Sequence, residues 1–207
     1  MRNPWVGITL SDYENHMKLG SVGQLQVLNR IMADQLYRYN TASVMILGIA
    51  GGNGLDHIQP GSYNKIYGVD INTDYLAACK MRYPALDGIF ETISTDLTAD
   101  QRMLPQADLV IANLLVEYIG YDCLKRVIRL VHPKYVSCAI QINVDDSFVS
   151  ESPYLQAFDS LKEVHYKISE DGLTQAIQKI GFTLCFSEVY PLPNGKILQR
   201  LDYKVDG

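Results

Sequence analysis

The chain has 207 residues, a hydrophobic content of 47% and a formal net charge of −5. That length suits one α/β domain with enough apolar residues for a core. The acidic balance, with no Lys/Arg cluster, argues against a nucleic-acid partner, whose phosphates need a concentrated basic surface. No segment is apolar over the length a bilayer requires, and Met1–Trp5 lacks the apolar stretch of a secretory signal, so small-molecule chemistry in the cytoplasm is the expectation.

In chain order, residues 1–40 read as a helical N-terminal cap. Leu25, Leu28, Ile31 or Met32, and Gln35 or Leu36 recur at helical spacing and predict one apolar face, packed on the sheet or lying over a ligand. From residue 43 strands and helices alternate. Strands are expected at Ser43–Gly48, Lys65–Val69, Ile89–Ser94, Ala107–Asn113 and Tyr135–Ile142, and helices at Thr73–Tyr83 and Tyr121–Val131. Apolar strands separated by helices imply a parallel sheet covered on both faces. Residues 142–168 form a polar insertion, of a length more often functional than idle. Ser169 then caps a helix running to Ile180, with Gly181 as its stop. Two strands follow, Phe182–Tyr190 and Lys196–Val205. The Pro193-Asn194-Gly195 turn between them makes the last pair antiparallel.

Cys79, Cys123, Cys138 and Cys185 are widely spaced and form no Cys-x-x-Cys, which favours reduced core thiols over disulfides or a metal. The histidines are equally scattered, and Asp145-Asp146 reads as a solvated loop. No metal site is expected.

The chemistry concentrates in Val44-Met45-Ile46-Leu47-Gly48-Ile49-Ala50-Gly51-Gly52-Asn53-Gly54, followed by Tyr67-Gly68-Val69-Asp70. A buried strand ending in a glycine turn lets a ligand approach the main chain. Leu55 to Ile58 are expected to open a helix whose free N–H groups face that ligand. Asp70, at the tip of the neighbouring strand, is placed to accept hydrogen bonds from both hydroxyls of a ribose. An adenosine-type cofactor follows. The competing reading makes Asp70 a strand-end turn residue.

With these features the chain resembles the class I S-adenosylmethionine-dependent methyltransferases over about residues 41–207. The resemblance implies a Rossmann-like, seven-stranded, mostly parallel sheet with an antiparallel last strand, and S-adenosylmethionine as cofactor. It places Gly48, Ala50, Gly52 and Gly54 in the family's first motif, with Gly48 standing where an acid is usual. It places Asp70 on the ribose and Ile71 on the adenine face. Asp96 and Leu97 fall where the adenine amino group and ring edge are met, and Asn113 falls at the end of the fourth strand. The competing readings make Asp96 a cap for the segment beginning at Leu97 or Thr98, and Asn113 the cap of a turn.

The reaction so implied is methyl transfer to a small-molecule acceptor. His16, Glu117 and Tyr118 are the candidates for a base, and Tyr13 and Tyr154 for acceptor contacts; His165 is a pocket candidate by location. Rival readings are a non-catalytic S-adenosylmethionine-binding protein and an aminopropyltransferase, which usually has an acid where Asn113 stands. A nicotinamide dehydrogenase would need glycine at His57.

Overall fold

The computed structural model describes residues 3–99, 104–143 and 149–207. Seven strands, β1 (Ser43–Leu47), β2 (Lys65–Asp70), β3 (Phe90–Ser94), β4 (Leu109–Asn113), β5 (Tyr135–Ile142), β6 (Phe182–Pro191) and β7 (Ile197–Val205), form one sheet in the order β3-β2-β1-β4-β5-β7-β6. The first five are parallel; β7 runs antiparallel to both β5 and β6. Strand order reverses between β1 and β4, which opens a crevice at the carboxyl ends of the strands. The hairpin closes as expected, with Leu192 N–H donating to the Lys196 carbonyl at 2.9 Å.

Five α-helices cover the sheet: α1 (Leu10–Lys18), α2 (Gln24–Tyr37), α3 (Thr73–Arg82), α4 (Val116–Val131) and α5 (Glu170–Gln178). Side chains of β1 alternate in direction. Met45 and Leu47 join a core with α4 and α5, built on Leu124, Val127, Ile128, Leu173 and Ile177. Val44 and Ile46 join one with α2 and α3, built on Met32, Leu36, Leu76 and Cys79. Further along α2, Val27, Leu28 and Ile31 meet Ala139 of β5 and Leu198 of β7. The apolar stripe on α2 is therefore sheet-facing core. Cys79, Cys123 and Cys138 are buried free thiols, and Cys185 is exposed. Among the described residues no helix is long and apolar enough to cross a membrane.

The structure corrects three expectations. First, no α-helix opens at Leu55: the segment is a 3-10 turn, Leu55–His57, and Ile58 is already extended. Gln59-Pro60-Gly61 stops propagation, because Pro60 lacks an N–H and Gly61 has φ 83°. The sheet face there is covered by α2. Second, α4 begins at Val116 rather than Tyr121 and is interrupted at Gly120 (φ 71°, ψ 170°), so Glu117 and Tyr118 sit on a short first turn. Third, the insertion is not irregular throughout, since Leu155–Glu163 winds as a 3-10 helix. Asp145 and Asp146 lie outside the described residues.

A buried polar chain fixes α2 to the sheet. The Gln35 Nε2 group donates to Ser137 Oγ at 2.8 Å, and Ser137 Oγ in turn donates to Asp202. Arg200, 0% exposed like Asp202, donates to both of that carboxylate's oxygens at 2.9 and 2.6 Å and to Asp34 of α2 at 2.6 Å. Tyr39 Oη donates to Asp202 at 2.8 Å. Removing one partner of such a pair strands the other charge in the interior. Asp202→Ala is expected to cost about 3–5 kcal/mol in urea unfolding. Loss of the exposed Asp159–Lys162 pair through Lys162→Ala should cost under about 0.5 kcal/mol.

Candidate functional site

The carboxyl ends of β1, β2 and β4 open into a cavity of about 320 Å³. Asp70 lines it from the tip of β2. Its Oδ2 accepts the Ala50 N–H and its Oδ1 the Asn72 N–H, both at 2.9 Å. Burial pushes the Asp70 carboxyl above its ordinary range, and the backbone N–H bonds oppose that rise. Each oxygen keeps a lone-pair direction after its one N–H, so the carboxylate can still accept from two hydroxyls. The loop above it is held in an uncommon backbone shape, with Gly48 at φ 66° and Ala50, although not glycine, at φ 47°.

Of the cofactor candidates, Gly48, Ala50, Asp70, Ile71, Asp96, Leu97 and Asn113 line this cavity. Gly52 and Gly54 do not, and their glycine character has a packing cause. A Cβ on Gly52 would stand 2.6 Å from Cys79 Sγ, and one on Gly54 2.5 Å from Met32 Cγ. The loop's N–H groups are also less available than a cradle requires. Those of Gly48 and Ile49 go to the Val69 carbonyl, that of Ala50 to Asp70, and that of Gly52 to the Ile49 carbonyl.

Asp96 serves the turn and the cavity together. Its Oδ1 accepts from Thr98 N (2.8 Å) and Thr98 Oγ1 (2.7 Å), while Oδ2 receives only a long bond from Asn3 at 3.3 Å. Burial would raise this carboxyl, but the Thr98 and Asn3 bonds outweigh it and hold it below the usual range. The Asn113 amide is committed to α2: it accepts from Gln35 at 2.9 Å and donates back at 2.8 Å. Strand β4 thus offers the cavity the shape of its tip rather than a free amide.

A roof crosses the cavity from the N-terminal segment. Asn3 caps a 3-10 turn, Pro4–Gly7, by accepting from Trp5 N. The Asn72 amide donates to the carbonyls of Trp5 (3.1 Å) and Ile8 (3.3 Å), and Tyr75 Oη donates to Ile8 (2.9 Å). Glu14 pairs with Arg82 at the far side. Trp5 and Tyr13 both line the cavity, and Trp5 meets Tyr118 edge-on at 4.9 Å between ring centroids.

A smaller chamber of about 70 Å³ lies beside the main cavity and shares Trp5, Tyr13, Leu114, Tyr118 and His165 with it. Here sit all three candidate bases. His16 is buried, with Nδ1 2.7 Å from Ser152 Oγ; burial first, and Lys196 second, lower its pKa and keep it neutral. Tyr118 is pushed far up by burial and by Glu117, so its phenol stays protonated. Glu117, 5% exposed, accepts the Gln141 N–H at 2.7 Å through Oε1, while Oε2 has no hydrogen-bond partner among the described residues. Burial pushes its carboxyl up to about 7. Leu114, at the junction of the two spaces, has φ 51°, a strained conformation for a non-glycine residue.

Tyr154 does not reach either space. It packs beside the Ile8–Phe158–Leu161 cluster. Conversely, the sequence reading passed over Trp5, Gln24 and Gln141. The lone tryptophan next to Pro4 was the available signal for the first; nothing in local pattern marks the two glutamines. Among the described residues no group of three His, Cys, Asp or Glu side chains is placed to hold a metal ion.

Comparisons bear on the architecture. No family model and no curated protein sequence matches the chain. Solved structures do. The [4+2]-cyclase SpnF superposes with a TM-score of 0.65 at 9% identity, over 87% of this chain and 81% of SpnF. The methyltransferase domain of bacterial CtHen1-C gives 0.64 at 14%, over 96% and 100%. Magnesium protoporphyrin IX methyltransferase (ChlM) from Synechocystis PCC 6803, solved with bound S-adenosylmethionine (SAM), gives 0.62 at 10%, over 94% and 83%. The same enzyme is solved with S-adenosylhomocysteine (SAH).

Glu117 provides a test of the site's electrostatics. Its carboxyl holds a proton in the folded state up to about 7 but only to about 4.5 when unfolded. The folded state therefore binds the extra proton between those values, and stability falls as pH rises through that window. Glu117→Gln should abolish this slope, gaining about 3 kcal/mol over wild type at the alkaline end relative to the acid end, measured by denaturant unfolding across pH. A slope unchanged by the substitution would contradict the assignment. Taken together, the strand order, the crevice and the neighbours show that this chain has the class I SAM-dependent methyltransferase fold.

Proposed function

We propose that the protein binds SAM in the main cavity and transfers its methyl group to a small molecule held in the adjoining chamber. The observation that carries this reading is Asp70: a half-buried carboxylate at the β2 tip, oriented by two backbone N–H groups and with lone pairs left over. A cavity of about 320 Å³ falls within the size range of cofactor sites, and this one lies at the switch point where open α/β sheets bind ligands. ChlM, solved with SAM and with SAH, supports the cofactor through the shared fold.

In this reading Asp70 accepts the ribose hydroxyls, Ile71 packs on the adenine, and Asp96 Oδ2 faces the adenine amino group. SAM, when bound, supplies an electrophilic methyl carbon whose bond to sulfur breaks as the acceptor attacks, leaving the electron pair on sulfur. The protein's contribution is alignment and exclusion of water. Leu114 and Tyr118 sit where the two spaces meet and set the direction of approach, and the Trp5–Tyr13 roof shields it. The small volume of the chamber, about 70 Å³, supports a small acceptor over a polymer.

Asp70→Ala should weaken SAH binding by at least about tenfold in isothermal titration, the scale of lost charge-assisted hydrogen bonds. Binding of NAD but not SAH, or an Asp70→Ala affinity equal to wild type, would overturn the proposal.

A further inference from the structure

Two buried side-chain polar atoms have no hydrogen-bond partner among the described residues, Trp5 Nε1 and Glu117 Oε2. Both belong to side chains that line the small chamber. An unpaired buried acceptor costs free energy unless a ligand or water meets it, and a carboxylate more than a neutral group. Glu117 cannot be relieved by rotation, because Oε1 is held by the Gln141 N–H and the helical turn carrying it is pinned by the Tyr166 N–H donating to the Glu117 carbonyl at 2.7 Å.

The rest of the chamber narrows what that ligand is. Its apolar walls are largely aromatic: Trp5, Tyr13, Tyr118 and Phe158. Its other polar side chains, Gln24, Gln141, Asn143 and Ser150, are neutral. Among the described lining residues Glu117 is the one carboxylate. The titratable groups facing it are Tyr13, Tyr118, His16 and His165; burial holds both phenols protonated and both imidazoles towards their neutral form. Lys196, a buried cation whose charge acts on His16, is not part of the lining. A carboxylate among aromatic faces attracts a cation with N–H donors, by charge and by the ring quadrupoles together. A carboxylic acid ligand would meet like charge, and an alcohol would leave the carboxylate's charge unanswered.

We infer that the chamber selects a compact primary or secondary amine as methyl acceptor, bound as its ammonium ion against Glu117 Oε2. This rests on the reading of the main cavity as a SAM site. Glu117 has a second task in it. An ammonium nitrogen has no lone pair, so one N–H bond must break before attack; its proton forms the O–H bond on Oε2, and the electron pair stays on nitrogen. The proton then leaves to solvent when the product departs. Glu117 is well suited to both states, since burial makes its protonated form accessible near neutrality.

Titration calorimetry on the full chain tests this, with and without saturating SAH, using isobutylamine and benzylamine beside their alcohol and carboxylate counterparts. Each amine is expected to bind at least about tenfold more tightly than its counterparts above neutral pH, and to weaken as pH falls through the Glu117 transition. Glu117→Gln should erase the preference while SAH affinity stays within about threefold of wild type. The inference is overturned if neither amine binds at millimolar concentration, if alcohol or carboxylate binds as well, or if Glu117→Gln keeps the preference. Failure of wild type to bind SAH would instead sink the cofactor reading, and the amine series on SAH-free protein would still report on the chamber.

Discussion

Helix α2 is the constraint on which the rest of this structure depends. The connection from β1 to β2 supplies no helix of its own, so that face of the sheet would be open to water without α2. Its apolar stripe fills the gap with Met32 and Leu36 on β1 and β4, and with Val27, Leu28 and Ile31 on β5 and β7. Polar residues on the same helix then reach the ends of two strands. Asn29 and the Leu25 carbonyl hold Asn53 and His57 of the glycine loop, while Gln35 holds Asn113 at the tip of β4. A helix that merely covered the sheet would need only its apolar face. These amides tie the floor of the cavity to it as well.

Much of the fold was legible in the residues because periodicity is a local property. All seven strands lie where alternation or continuous apolar runs placed them, and Ser169 caps α5 as its hydroxyl chemistry requires, accepting from Gly172 N at 3.1 Å. The missing crossover helix was harder to foresee. Gly54-Leu55-Asp56 looks like a helix start, and the stop lies in Pro60-Gly61, whose effect depends on another segment already occupying the sheet face. Within the site, Asp70 was visible because strand end and glycine loop are close in sequence. Asn113 was visible in place but not in use: its partner Gln35 is distant in sequence, and no local pattern reports a pairing of amides. Gly52 and Gly54 carry the same lesson, since a glycine spared for a ligand and one spared for Cys79 or Met32 are indistinguishable as letters.

The N-terminal segment is bonded to the cavity wall through groups that themselves belong to the site. Asn72 caps α3 with its oxygen, accepting from Asp74 and Tyr75, and spends its nitrogen on the carbonyls of Trp5 and Ile8. Asn3 reaches Asp96. The roof is thus registered on the same two strand tips, β2 and β3, that bear the carboxylates. A displacement of Asp70 or Asp96 by a ligand is felt directly by Asn72 or Asn3, one or two bonds away, so cofactor and roof geometry are coupled without any long pathway.

Two carboxylates, one at the tip of β2 and one just after β4, show how such groups are distinguished in function. Asp70 has one N–H on each oxygen, and those donors fix its plane; the structure has built it as a rigid acceptor pair. Glu117 accepts the Gln141 N–H on Oε1 and, among the described residues, nothing on Oε2, and burial raises its pKa towards neutrality. The first arrangement fixes the carboxylate's orientation, which suits alignment of hydroxyls that never ionise. The second leaves a carboxyl free to exist in either protonation state, which suits a group that must take a proton from what it binds. The difference lies in which oxygens the backbone reaches.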